Sequence, residues 1–375
     1  MTHSGMRTAR IGWIDAWRAL LIVLVVAGHA IGTASHYVPA GHVDFYEFVF
    51  KVIYSFHMPA FFMLAGLMTS EAEKELPIGF LIRKYFKRLL VPYFFFGLLS
   101  MVVYVVVMPY FGRFSSGSTG YYGEFSGGAW WHPWVSLLYG AVFPGTDGFR
   151  CNSVLWFLPC LFSVKLIGRL VLGFFDRMRM FYRIALILTV CIVGWAMQFA
   201  AIPSLPYGLS KLLWYFPFFL IGYLSRPVLI CRSVDGVTAM EWLRRVAVLV
   251  IFAAFVVLIW IVPNLAFRGK LLWYLVQVVL GVLGAFLSMR IAARISTMFS
   301  GVCFQLSVTS IGIMFLHKYF ILAVMSISGV RALWARSALP VGFAISLVVM
   351  IASVAAAWLL SACARRFIPW TIGAQ

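Results

Sequence analysis

An arginine and a histidine, Arg18 and His29, stand eleven residues apart in one apolar run, with Asp15 three residues upstream of the arginine. At 100° per residue the two lie about 20° apart around a helix axis and ~16 Å apart along it, so a single polar stripe runs down that helix. A neutral imidazole titrates in the range useful to a general base and can take a proton from a hydroxyl. Asp15 is spaced to pair with Arg18. A second apolar run carries Phe56-His57-Met58-Pro59, and a later one carries Ser310 and, seven residues on, His317. Seven residues is two turns, so Ser310 and His317 share a face. Each has a purely structural alternative: an arginine near the end of a span snorkels, and a histidine in a bundle satisfies a hydrogen bond. Taken singly, His57 or His317 is as readily structural as chemical; three histidines converging at the middle and outer depth of the apolar zone are harder to read as structural alone.

The elements that must position these residues are membrane-spanning helices. The chain has 375 residues, 63% of them hydrophobic and 11% charged, with a mean hydropathy of +0.97. A soluble chain would carry about a quarter charged residues, so an ordinary cytosolic enzyme, a disordered regulator and a secreted disulfide scaffold are excluded. Ten runs approach the ~20 apolar residues needed to cross the hydrocarbon: 11–33, 48–69, 88–110, 153–175, 184–202, 209–225 (short), 246–263, 270–289, 306–327 and 339–362. The expected fold is all-α, a polytopic membrane helix bundle of about ten transmembrane helices forming a single domain over 1–375. Arg7 and Arg10 precede a first run too long for a signal-peptide core, so that run reads as a span. With the N-terminus inside, the inner segments hold 18 Lys and Arg and the outer segments 8, which predicts both termini cytoplasmic.

A net charge of +19 fits cytoplasmic loops of a membrane protein, and nucleic acid is not an expected partner. The six cysteines, at 151, 160, 191, 231, 303 and 363, form no metal-ligand spacing, and no metal is expected. No Asp or Glu lies near the middle of any run, which argues against a proton-coupled pump. Arg83, Lys84, Lys87 and Arg88 gather at an inner membrane edge. Such a cluster suits a polyphosphate ligand, and it equally suits a topogenic cluster touching anionic lipid head groups. The long outer loop 111–152 offers Tyr121, Tyr122, Trp130, Trp131, His132 and Trp134, either as a platform for sugar rings or as an interfacial aromatic belt.

Several stretches together resemble the acyltransferase 3 family of bacterial integral-membrane acyltransferases. They are Ile14-Asp15-Ala16-Trp17-Arg18 leading to Gly28-His29; His57-Met58-Pro59-Ala60-Phe61-Phe62 with Ala65-Gly66; Lys87-Arg88-Leu89-Leu90-Val91-Pro92-Tyr93; Leu155-Trp156-Phe157-Leu158; Phe218 to Tyr223; and Ser310 to His317. The first resembles the family's arginine, ten residues and histidine. The His-Met-Pro form is similar to the branch that includes fucose- and glucan-acylating enzymes. Tyr85 stands where a second arginine is common, leaving Lys84 or Arg83 to substitute, and Met314 replaces a common tyrosine. No appended hydrolase-like domain is expected.

The resemblance implies transfer of an acyl group, acetyl or succinyl, from cytosolic acyl-coenzyme A to a hydroxyl of an outward-facing glycan or lipid-linked saccharide. Acyl-coenzyme A would be a co-substrate, with no permanently bound cofactor, in a bacterial cytoplasmic membrane. His29 and Arg18 would be catalytic, and Arg83, Lys84, Lys87 and Arg88 would bind the donor. His57, His317, Trp156 and Ser310 would orient the acceptor or the oxyanion, while Asp15 pairs with Arg18. An exporter or flippase for a glycan or lipid intermediate is the competing expectation.

Overall fold

The computed structural model describes residues 11–103, 135, 152–199, 209–230, 250, 252–255, 257 and 271–373. The helices are α1 (Gly12–Ala34), α2 (Val43–Leu67), α3 (Glu71–Glu75), α4 (Ile78–Tyr85), α5 (Val91–Val102), α6 (Phe157–Phe175), α7 (Met180–Phe199), α8 (Leu209–Ile230), α9 (Leu271–Met298), α10 (Ser300–Val308), α11 (Ser310–Ser326), α12 (Ser328–Arg336) and α13 (Leu339–Phe367). No strand occurs among the described residues. Eight helices there are long and apolar enough to cross a membrane, and the bent pair α10–α11 makes up to nine. The expected run 246–263 falls largely outside the described residues, as do the aromatics of the 111–152 loop. The chain is a polytopic helical membrane protein.

Three boundaries differ from expectation for identifiable reasons. The third span begins at Ile78 rather than 88, because α4 runs into α5 through a π-turn at Phe86–Leu90. The basic segment 83–88 is therefore helical and not a loop. The sixth is a full 22 residues, carrying Pro217 and Pro227 inside it. The expected run 306–327 is broken by an 80° bend between α10 and α11. No proline or glycine stands at the break. Thr309 ends α10 in a non-helical conformation, and its hydroxyl donates to the Gln305 carbonyl at 2.7 Å, competing with the helix ladder.

α1 is the hub, packing against α2, α9, α10, α11 and α13. Its Trp17 is buried and donates to Ser288 of α9 at 3.0 Å. α2 crosses α8 where Gly66 faces the Phe219 carbonyl and Gly222 faces the Met63 backbone. Small residues at a membrane crossing let the two backbones meet. Asn152 is fully buried and donates to the Phe315 carbonyl at 3.2 Å, tying the N-terminal approach to α6 to α11. The outward faces remain apolar, with Phe181 75%, Val348 65% and Ile351 61% exposed, as a lipid solvent requires.

Candidate active site

The Arg18–His29 stripe meets the bent pair α10–α11 at both of its ends. At its N-terminal end, Arg18 Nη1 donates to Ser307 Oγ at 3.3 Å, and Ser307 Oγ donates to Asp15 Oδ1 at 2.7 Å. Asp15 and Ser307 are buried and Arg18 is half-buried. Ser307 was not foreseen from the sequence. The bend at Thr309 is what lets α10 present it to α1. Ser310, expected in the site, begins α11 just past the bend and is half-buried. Ser307→Ala leaves the Asp15 carboxylate one donor short, which should cost about 1–3 kcal/mol. Thermal unfolding in detergent, compared with wild type, checks this.

At its C-terminal end, the His29 and His317 rings stand 5.2 Å apart. His57 approaches from α2 through Tyr54, whose ring lies 4.7 Å from His57 and 6.1 Å from His29. The Tyr54 hydroxyl is 3.5 Å from His29 Nε2. Tyr54 is a second residue the sequence reading missed, one turn before His57. Phe50 stacks on it at 3.9 Å.

The tautomers of two histidines follow from their neighbours. His57 Nδ1 lies 2.8 Å from the Ile53 carbonyl, and His317 Nδ1 lies 2.9 Å from the Ile313 carbonyl. A carbonyl only accepts, so each Nδ1 carries the proton and each Nε2 carries a lone pair. His317 is fully buried and its Nε2 has no hydrogen-bond partner. Each Nε2 is thus left with a lone pair that can accept a hydrogen bond. His29 is half-buried, and no backbone bond fixes its ring in this way among the described contacts.

Trp156 stands in a neighbouring aromatic stack. Its ring lies 5.3 Å from Tyr215, which stacks on Phe62 at 4.5 Å, and Lys211 Nζ caps Trp156 at 4.2 Å.

In the basic segment, Arg83, Lys87 and Arg88 are exposed, whereas Lys84 donates to Glu73 Oε1 at 2.8 Å. Burial opposes the Glu73 charge, but Lys165 and the hydrogen bonds from Lys84 and Tyr85 prevail and hold its carboxyl below the usual range. Burial likewise opposes the Lys74 charge, yet hydrogen bonds with Asp176, Glu71 and Tyr223 hold its ammonium above the usual range. Lys165 and Arg169, both on α6, were also missed, although a cation within an apolar run is a signal in itself. Among the described residues no cluster of His, Cys, Asp or Glu could hold a metal ion.

A multi-pass helical bundle gathers histidines from three helices, His29, His57 and His317, with Tyr54 between them. The chain matches the family model described as an acyltransferase domain over residues 11–362. It belongs to that family, the acyltransferase 3 domain proteins, and is a membrane acyltransferase. No curated protein gives a match, and no solved structure does.

Proposed function

We propose that the protein transfers an acetyl or succinyl group from cytosolic acyl-coenzyme A to a hydroxyl of an outward-facing glycan or lipid-linked saccharide. The cytoplasmic membrane of a bacterium and the fucose- or glucan-acylating branch are parts of the same proposal. The observation that carries it is the meeting of His29 with His317, and through Tyr54 with His57, where the buried His317 Nε2 has no hydrogen-bond partner, at the far end of a stripe that begins at Arg18.

In this reading Arg83, Lys84, Lys87 and Arg88 meet the donor's phosphates and Arg18 anchors it further in. The pantetheine arm then carries the thioester outward toward His29. His29 removes the proton from the acceptor hydroxyl as its oxygen attacks the thioester carbonyl carbon. The C–S bond breaks, the ester forms, and the coenzyme A thiolate recovers the proton from His29. His57 and His317 accept hydrogen bonds from hydroxyls of the acceptor and so orient it. A saccharide supplies several such donors on adjacent carbons. Trp156, with Tyr215, offers a flat face for the sugar ring, and Ser310 lines the approach.

The deciding experiment incubates purified, reconstituted protein with labelled acetyl-coenzyme A and cell-envelope glycan. Coenzyme A release coupled to a gain in glycan mass of one acyl group supports the reading. Movement of glycan across the vesicle without coenzyme A release overturns it in favour of export. Arg88→Ala should raise the KM for acyl-coenzyme A about tenfold, the scale of one lost charge-assisted phosphate contact, while acceptor preference is unchanged. Initial rates at varied donor concentration measure this.

A further inference from the structure

The inner basic cluster is built around one carboxylate. Glu73 is 12% exposed at its side chain, and it receives Lys84 at 2.8 Å and Lys165 at 3.7 Å. Tyr85 Oη donates to the same Glu73 oxygen as Lys84, at 2.7 Å. Lys165 Nζ sits 5.0 Å over the Tyr85 ring and Lys84 Nζ 5.7 Å from it. One turn along α6, Arg169 donates Nη2 to the Leu76 carbonyl at 3.4 Å, and its Nε is buried with no hydrogen-bond partner. Arg88 and Arg169 both lie close enough to bear electrostatically on the Tyr85 hydroxyl. Lys84 and Lys165 thus share the single Glu73 carboxylate, with Arg169 one turn further along α6.

The adjacent cluster has the opposite balance. There Lys74 alone pairs with both Glu71 and Asp176, and Tyr223 donates to Asp176 at 2.9 Å. That cluster is closed on itself. The Glu73 cluster retains surplus positive charge in a partly desolvated place, where uncompensated charge is costly. A phosphate relieves it better than a carboxylate, since it brings up to two negative charges and three acceptor oxygens for lysine and arginine donors.

We propose that Lys84, Lys165 and Arg169 form a phosphate-binding site in which Glu73 is the resident counter-ion, displaced by a phosphate of the ligand. The backbone of Glu73 is held by the Ser70 cap, whose Oγ accepts from Glu73 N at 3.2 Å, so only the side chain must rotate away. This deepens the donor reading and rests on it: Lys165 and Arg169 join the donor residues, and the site exchanges an internal anion for an external one. The phosphate can come from a soluble nucleotide thioester or from a lipid head group, and the chemistry of the site is the same for both.

The probe is adenosine 3′,5′-bisphosphate, titrated calorimetrically against the full chain in phosphatidylcholine nanodiscs. Glu73→Gln removes the competing anion and should lower the Kd about fivefold, while Lys165→Gln should raise it about tenfold. A purely structural role for Glu73 predicts no tightening, so unchanged or weaker binding in a folded Glu73→Gln protein overturns the proposal. Should that variant fail to fold, Lys165→Gln decides, and an unchanged Kd there overturns the proposal equally. Repeating the titration with a fifth of the lipid as phosphatidylglycerol separates the sources. Unaltered bisphosphate affinity supports the soluble donor, and its loss assigns the site to the lipid and overturns the donor role. Tightening by Glu73→Gln in a protein that transfers no acyl group would keep the site and remove the proposed function. Acyl transfer with an unresponsive Glu73→Gln Kd would do the reverse.

Discussion

Replacing His29 by glutamine should lower the rate of acyl transfer by about 10²–10⁴-fold, the contribution of a positioned general base. Glutamine keeps the size and polarity of the ring but has no lone pair basic enough to hold the acceptor's proton. The neighbouring histidines are held in place by their own backbone bonds and are not expected to swing into its position. His57 and His317 have their Nδ1 protons committed to the carbonyls of Ile53 and Ile313, and both rings are buried, at 3% and 0% exposure. Their glutamine variants should therefore lose less, and mainly through a raised KM for the acceptor. If one point of proton transfer is shared by all three, combining His29→Gln with His317→Gln should cost far less than the product of the single losses, because residues acting as a unit are not additive. Coenzyme A thiol release is the readout, with a symmetric size-exclusion peak as the control for folding. Near-normal turnover in folded His29→Gln protein would remove the base from the mechanism.

What the sequence revealed and what it withheld divide along a physical line. The relation between Arg18 and His29 is internal to one helix, so the 100° step per residue is enough to place them on one stripe. The same holds for the apolar runs themselves, which follow from length and composition. What lies across from the stripe is a matter of tertiary packing. Ser307 reaches Asp15 only because α10 turns 80° away from α11, and nothing in the sequence around Thr309 announces a bend of that size. Tyr54 sits among seven aromatic residues between 45 and 62, and only the crossing of α1 with α2 singles it out. Lys165 and Arg169 differ from these. Two cations inside the fourth apolar run were visible from composition alone, and their partner Glu73 lies in the short inner segment that precedes the basic stretch. Reading that stretch as a row of like charges hid the carboxylate that organises it. The tautomers of His57 and His317 required the carbonyls one turn before each ring, because these fix which nitrogen is left to accept.

The second large effect is structural and comes from the α2–α8 crossing that carries His57 on one side and Tyr215 on the other. A methyl group added at Gly222 would overlap the Met63 carbonyl oxygen, and one added at Gly66 would overlap the Phe219 carbonyl oxygen. Both obstacles are backbone within helices, which cannot yield as a flexible side chain does. Gly222→Ala should therefore force the two helices apart and destabilise the protein by about 2–4 kcal/mol, at or above the usual cost of overpacking a core by one carbon. Separation of α2 from α8 also loosens the Phe62–Tyr215 stack, so residual activity should show a raised KM for the acceptor before the donor is affected. Gly79→Ala is the matched control, since nothing lies within 4 Å of a methyl placed there. Unfolding followed by tryptophan fluorescence in mixed detergent compares the three proteins, and Gly222→Ala with the stability of Gly79→Ala would mean that the backbones do not meet at this crossing.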